Sequence, residues 1–276
     1  MTTYLAFFVV LWYNMANFRG DGMGYFIKPK QLYLGNNFKP IPNVFKLDRV
    51  GAGHDGFVYR HDDVVYKVLK HDIDERKLRG LMSFEKARAF STLDVKRLTK
   101  PIDVLIDEDG RYAGYVMHYY EDLTKDATSP RFKNIGDFTC GELIHSINEL
   151  ESDFAELTRR GVCPKDLNRG SYIFSSDFMH LCDMDKYHFS RNRALQVNWE
   201  QLNFVVAKMM YFEKIERDGI SKTSDETKEI NKQMNDWVRR SSNTRDFIHC
   251  LWDEIGSSYS TPIREFTDYT FQKVIR

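Results

Sequence analysis

The hydrophobic pattern opens with an unbroken apolar run, Tyr4 to Tyr13. It falls short of the roughly 20 residues that a bilayer span takes. It also lacks basic residues before it and a small-x-small cleavage site after it. A strand or short helix packed on the domain is the expectation. Residues 17–43 carry Gly20, Gly22, Gly24, Pro40 and Pro42 and predict an irregular lead-in. From Val44 to Leu69, short runs of β-formers are broken by glycines and then by Asp62-Asp63, which predicts strand, glycine turn, strand, hairpin turn, strand. Residues 71–81 are charged and predict a flexible link. Ser83 then caps a helix through Phe90. Ile102–Ile106 and Tyr112–Met117 are two further strands, and Asp109-Gly110 between them is a hairpin turn signal.

After this point the period becomes helical. Thr139 and Glu142 have capping-box spacing. Leu143, Ile147, Leu150, Phe154 and Leu157 form one stripe, whose place is in a core, and Gly161 ends the helix. A loop, a short strand, a turn at Ser175–Asp177 and a second short strand ending at Asp183 follow. The next helix covers Asn198 to Met210. The tail, 211–276, has helical patterning around Ile230–Val238 and Phe247–Ile255, joined by a polar loop at Ser221–Thr227, and offers no chemistry.

Composition changes this picture little. A chain of 276 residues with 42% hydrophobic and 14% aromatic residues has enough material for one large domain or two lobes with a core. Basic and acidic residues number 40 each, so bulk charge supplies no reason to expect a nucleic-acid or anionic-membrane partner. The four cysteines, Cys140, Cys163, Cys182 and Cys250, have no C-x-x-C spacing. Zinc is therefore not expected; reduced thiols in a cytoplasmic protein are, and no membrane span.

Two stretches carry chemistry. Gly51, Gly53 and Gly56 have G-x-G-x-x-G spacing, with Val58 two residues on and Lys67 on the following strand. Glycine lets backbone N–H groups approach anionic oxygens closely, and a strand lysine reaches phosphates as a point charge. A dinucleotide fingerprint would open a helix, whereas strand-type sequence follows here, so that class is excluded. In the second stretch, Asp166 and Asp183 sit at the ends of neighbouring elements with Asp185 beside them. Magnesium takes one or two carboxylates together with substrate phosphates.

In this order, from about Phe45 to Met210, these parts resemble the protein-kinase-like superfamily. The glycine loop is matched at Gly51, Gly53, Gly56 and Val58. Lys67 is matched to the phosphate lysine, and Glu85 (with Glu75 as competitor) to its helix partner. Pro164-Lys165-Asp166-Leu167 is similar to the catalytic loop, with Ser171 at the asparagine position, and Asp183-Met184-Asp185 to the D-F-G triplet. The resemblance implies an α+β, two-lobed fold: a lead-in over 1–43, a small antiparallel β lobe with one helix over 44–120, and a mainly helical lobe over 121–276. It implies ATP and Mg2+ as cofactors, with Asp166, Lys67 and Glu85 catalytic and Asp183 and Ser171 on the metal. Met117 and Tyr119 would lie at the hinge against the adenine. The substrate implied is a protein or small-molecule hydroxyl.

The chain departs from that pattern at Pro164 and Lys165, at Ser171, at Asp185 in place of glycine, and at Asn198, where an aspartate is usual. No A-P-E motif lies between Asp185 and Trp199. The short segment resembles atypical, RIO-type and bacterial kinase-like proteins, and it implies no loop-phosphorylation switch. The same substitutions leave a non-catalytic kinase-like module, binding nucleotide or a partner protein, as the alternative.

Overall fold

The computed structural model describes residues 29–53, 55–70, 80–165, 167–221, 224–240 and 259–273. The apolar run at 4–13, residues 71–79 of the charged link at 71–81, and the helical pattern at 247–255 lie outside them. The class is α+β: a seven-stranded antiparallel sheet and, among the described residues, five α-helices. No described helix is long and apolar enough to cross a membrane. The chain divides into two compact units. The described residues up to Thr92, with Lys100–Tyr119, form the first; Leu93–Thr99 and those from Tyr120 onward form the second.

The first unit is built on the sheet. Its strands are β1 (Leu32–Leu34), β2 (Lys39–Pro40), β3 (Asp48–Ala52), β4 (Gly56–His61), β5 (Val64–Leu69), β6 (Asp103–Asp107) and β7 (Tyr112–His118), in spatial order β2-β1-β6-β7-β5-β4-β3. The hairpins fall where their turn residues call for them. Asp62 takes a positive φ of 54° between β4 and β5, and Gly110 one of 77° between β6 and β7. Asp107 stiffens the second turn by accepting the N–H groups of Asp109 and Arg111 at 3.0 and 2.8 Å. The sequence predicts an irregular lead-in over 17–43, but β1 and β2 lie there instead. β1 adds to β6 in the register Leu32↔Asp107, and Leu32 joins the core with Ile41, Val44, Tyr59, Tyr66, Val68, Leu105 and Val116. Helix α1 (Phe84–Ser91) packs on β6 and β7, burying Ala87 and Phe90, and Ser83 caps it by accepting the Lys86 N–H.

Opposed residues of antiparallel strands share a face, so the registers define rows across the sheet. Ala52, Phe57, Val68, Gly114 and Leu105 form one row. At Gly114 the strands are so close that a Cβ would stand 1.9 Å from the Lys67 carbonyl oxygen. Gly51, Val58, Lys67, Tyr115 and Val104 form the adjacent row on the opposite face.

In the second unit, helix α2 (Cys140–Arg160) begins with a full capping box. Thr139 Oγ1 accepts the Glu142 N–H at 3.2 Å, and Glu142 Oε2 accepts the Thr139 N–H at 2.6 Å. It ends at Gly161 with φ 67°, and the predicted stripe from Leu143 to Leu157 is buried throughout. Strands β9 (Tyr172–Ser175) and β10 (Phe178–Leu181) form a hairpin whose aromatic side chains are core. Short strands β8 (Val162–Cys163) and β11 (His188–Phe189) form a separate pair. Helix α3 (Ala194–Asp218) starts one turn before the predicted Asn198, and α4 (Asp225–Arg240) starts within the predicted polar loop, where Ser224 Oγ accepts the Thr227 N–H. Helix α5 (Ile263–Lys273) is not predicted from sequence. Its buried stripe, Ile263, Phe266, Thr267 and Thr270, is half polar and so weakly patterned.

Candidate functional site

In the first unit the glycine hairpin joins β3 to β4. Its three glycines do different jobs. A Cβ on Gly56 would stand 2.7 Å from the Val68 carbonyl oxygen, and one on Gly51 3.3 Å from Val58 Cβ, so close strand approach calls for the first and favours the second. A Cβ on Gly53 would meet nothing within 4 Å. The turn is closed by the Gly53 N–H donating to the Gly56 carbonyl at 3.0 Å. Lys70, which the sequence reading does not single out, donates its ammonium to the Gly53 carbonyl at 2.6 Å and stacks over the Phe57 ring. A lysine just past the end of β5 gives no periodic signal of that role.

Lys67 occupies the middle of the sheet and is 9% exposed, its ammonium 5.8 Å from the Tyr115 ring centre. Val58 and Gly51 continue its row. Met117 lies two residues beyond Tyr115, hence on the same face, and is buried. The sheet therefore brings Gly51, Val58, Lys67 and Met117 together on one side. Tyr119 stands apart from them in its contacts. Its N–H donates to the Asp63 carbonyl at 2.8 Å, and the Arg60 guanidinium stacks on its ring at 4.0 Å. Glu85 lies in the first turn of α1 with an exposed side chain, and among the described residues it pairs with no cation.

In the second unit Asp166, like Glu75 in the first, lies outside the described residues. Leu167 is held by its carbonyl, which accepts the Lys208 ammonium. Asn168 and Ser171 bracket a 3-10 turn reciprocally. Ser171 Oγ accepts the Asn168 N–H at 3.2 Å, and Asn168 Oδ1 accepts the Gly170 N–H at 2.8 Å. The Ser171 carbonyl accepts the Cys182 N–H at 2.8 Å, which ties this turn to the end of β10. Asp183 follows directly. It is exposed and left-handed, with φ 68° and ψ 52°, while Met184 and Asp185 beyond it are buried. A non-glycine residue in that region is uncommon, and such backbone strain concentrates at functional positions. Burial, with Cys182 and Asp183 nearby, pushes the Tyr187 phenol upward.

The chain then returns quickly to α3. His188 and Phe189 pair with Cys163 and Val162, and the Ser190 N–H donates to the Gly161 carbonyl at 2.6 Å. Asn198 is buried. Its amide donates to the Val162 carbonyl at 2.9 Å and to Thr158 Oγ1 at 3.0 Å, so the amide nitrogen supplies what a carboxylate there would lack. Among the described residues no three His, Cys, Asp or Glu side chains gather into a metal cluster. One exposed carboxylate, Asp183, with phosphate oxygens as the remaining donors, still fits the ligand set magnesium favours. Cys140 and Cys163 are buried free thiols, and burial pushes Cys140 up to about 11.

The second unit also holds an ionic network that the sequence reading misses. Arg97 is buried, with Nε on Glu149 at 2.5 Å and Nη1 on Asp177 at 2.9 Å. Asp153, also buried, accepts the backbone N–H groups of Lys96, Arg97 and Leu98 at 2.8, 2.6 and 3.1 Å. This network binds residues 93–99 to α2. His180 Nε2 lies 2.9 Å from Asp177 Oδ1, and its ring stacks on Tyr120. Neither the family models nor the curated proteins contain a match to this chain.

Proposed function

We propose that the chain is an ATP- and Mg2+-dependent phosphotransferase of two-lobed, protein-kinase-like fold, acting on a protein or small-molecule hydroxyl. The observation that carries this reading is the row Gly51, Val58, Lys67 across three neighbouring strands, with Met117 on the same face. A buried lysine in one row with a side-chain-free position, with apolar residues between and beside them, suits a phosphate-bearing ligand with an apolar base. Lys67 would hold phosphate oxygens, and Val58 and Met117 would pack on the base. Asp183 would hold the metal, which when bound neutralises phosphate charge. Asp166 is assigned to the acceptor hydroxyl.

A second reading, a nucleotide-binding module without catalysis, draws on one observation. The Ser171 hydroxyl accepts the Asn168 N–H within the turn and is buried, so it is already occupied locally. Calorimetric titration of ATP with and without Mg2+ tests the proposal. Wild type should bind more tightly with the metal, Lys67→Ala should bind weakly in both conditions, and Asp183→Ala should lose the metal dependence. Ser171→Ala should keep most of it. No ATP binding, or a metal dependence unchanged in Asp183→Ala, overturns the assignment.

A further inference from the structure

Within the second unit, three of the described large apolar side chains that remain strongly exposed occur within one short stretch. Phe189 is 55% exposed, Leu195 63% and Trp199 42%. Phe189 is on β11, and Leu195 and Trp199 are one turn apart on α3, a spacing that stacks them on one helix face. Large apolar side chains left exposed within so short a stretch mark interaction sites. The charges of the stretch say what partner. From His188 to Trp199 the sequence holds Arg191, Arg193 and a histidine, and no carboxylate. Both arginines are exposed, and among the described residues neither pairs with an acidic group. Elsewhere in this unit Arg97, Arg131, Arg159, Arg160, Arg169, Arg217 and Arg264 all meet carboxylates.

We infer that Phe189, Leu195 and Trp199, with Arg191 and Arg193, form a docking surface for an acidic segment of a partner protein that carries apolar anchors. Tryptophan and arginine are among the side chains that dominate interface energies, phenylalanine is enriched at interfaces, and guanidinium groups bind carboxylates bidentately. The arginines supply selection for acidic chains and the apolar residues the buried contact. A surface without arginines would select any apolar partner, and one without the apolar residues would give only weak, screened attraction. The inference does not depend on phosphotransfer, since the binding needs neither nucleotide nor metal.

Fluorescence anisotropy on the full chain, without nucleotide, tests it. The probe is a fluorescein-labelled peptide of Asp-Glu pairs separated by single Leu and Phe residues. A Ser-Gly peptide with the same Leu and Phe residues is the control. The acidic peptide should bind, and salt should weaken it. Arg191→Glu with Arg193→Glu should lower its affinity at least about tenfold, and Leu195→Ala with Trp199→Ala by a similar factor. All four positions are more than a third exposed, so both variants should fold, which a wild-type circular dichroism spectrum verifies. Failure of the acidic peptide to bind overturns the inference, as does equal binding of the Ser-Gly peptide or of the arginine variant. If instead sedimentation shows wild type self-associating and Trp199→Ala monomeric, the surface is an interface between copies of this chain and the acidic-partner assignment fails.

Discussion

The glycine hairpin makes a prediction that separates folding from ligand binding. A Cβ at Gly56 would stand 2.7 Å from the Val68 carbonyl oxygen, so β4 and β5 must part to admit it. Overpacking of that order costs about 1–3 kcal/mol, and loss of glycine's freedom in the unfolded chain returns about 0.4–1 kcal/mol. Gly56→Ala should therefore destabilise by about 1.3 kcal/mol at the midpoints of these ranges, and by no more than about 2.6 kcal/mol. Gly53→Ala meets open space and has no such cost, so it should be neutral or slightly stabilising. If the open space at Gly53 receives phosphate, a branched side chain there should obstruct it. Losing one charge-assisted hydrogen bond, about 1.5–3 kcal/mol, corresponds to roughly tenfold to a hundredfold in affinity. Gly53→Val should then weaken ATP binding by that factor while its urea midpoint stays within a few tenths of a molar of wild type, a shift of about 0.5 kcal/mol. Urea denaturation and calorimetric titration on the same samples check both halves. Equal destabilisation by Gly53→Ala and Gly56→Ala, or unaltered ATP affinity in Gly53→Val, would refute the reasoning.

Other positions give independent tests. Asp153→Ala strands the buried backbone donors of Arg97 and Leu98 and the partly buried one of Lys96, and should cost about 2 kcal/mol or more in urea denaturation, at 1–3 kcal/mol per buried donor. Asn198→Asp sets a carboxylate against the Val162 carbonyl and should lower the melting temperature, whereas a gain in stability would show that the amide is not required. Burial raises Asp177, but hydrogen bonds from Ser175 and His180 and the charges of His180 and Arg97 outweigh it and hold the carboxyl at about 2, below its ordinary 3.8. Its stabilising contribution should be complete above 3.8 and be lost as pH falls toward about 2, so Asp177→Asn should flatten that part of the acid-unfolding curve.

Local signals carried much of the fold. The Asp109-Gly110 turn, the Thr139–Glu142 capping box and Gly161 act within a few residues, and their elements stand where the sequence predicts them. Non-local pairing carried the rest. β1 is three residues long and joins the larger sheet by pairing with β6, about 70 residues away, which no window on the sequence contains. Residues 93–99 join the second unit through Asp153 and Arg97, and a polar anchor has no periodicity to read. The stripe of α5 is blurred by Thr267 and Thr270. The site divides in the same way. Lys67 is conspicuous as a lone charge among β-formers, and Asp183 as the residue after a strand. Glu85 is favoured by the helical pattern after Ser83, and that pattern does not say which way its side chain faces; it is exposed.

The measurement that bears most directly on phosphotransfer is release of ADP from ATP with Mg2+, followed together with label transfer from γ-labelled ATP to the chain itself and to casein as acceptor. The account predicts turnover by wild type and its loss in Asp166→Ala and Asp183→Ala, both of which should fold with wild-type circular dichroism. Wild-type turnover no higher than that of Asp166→Ala, with Mg2+ or Mn2+, would contradict it.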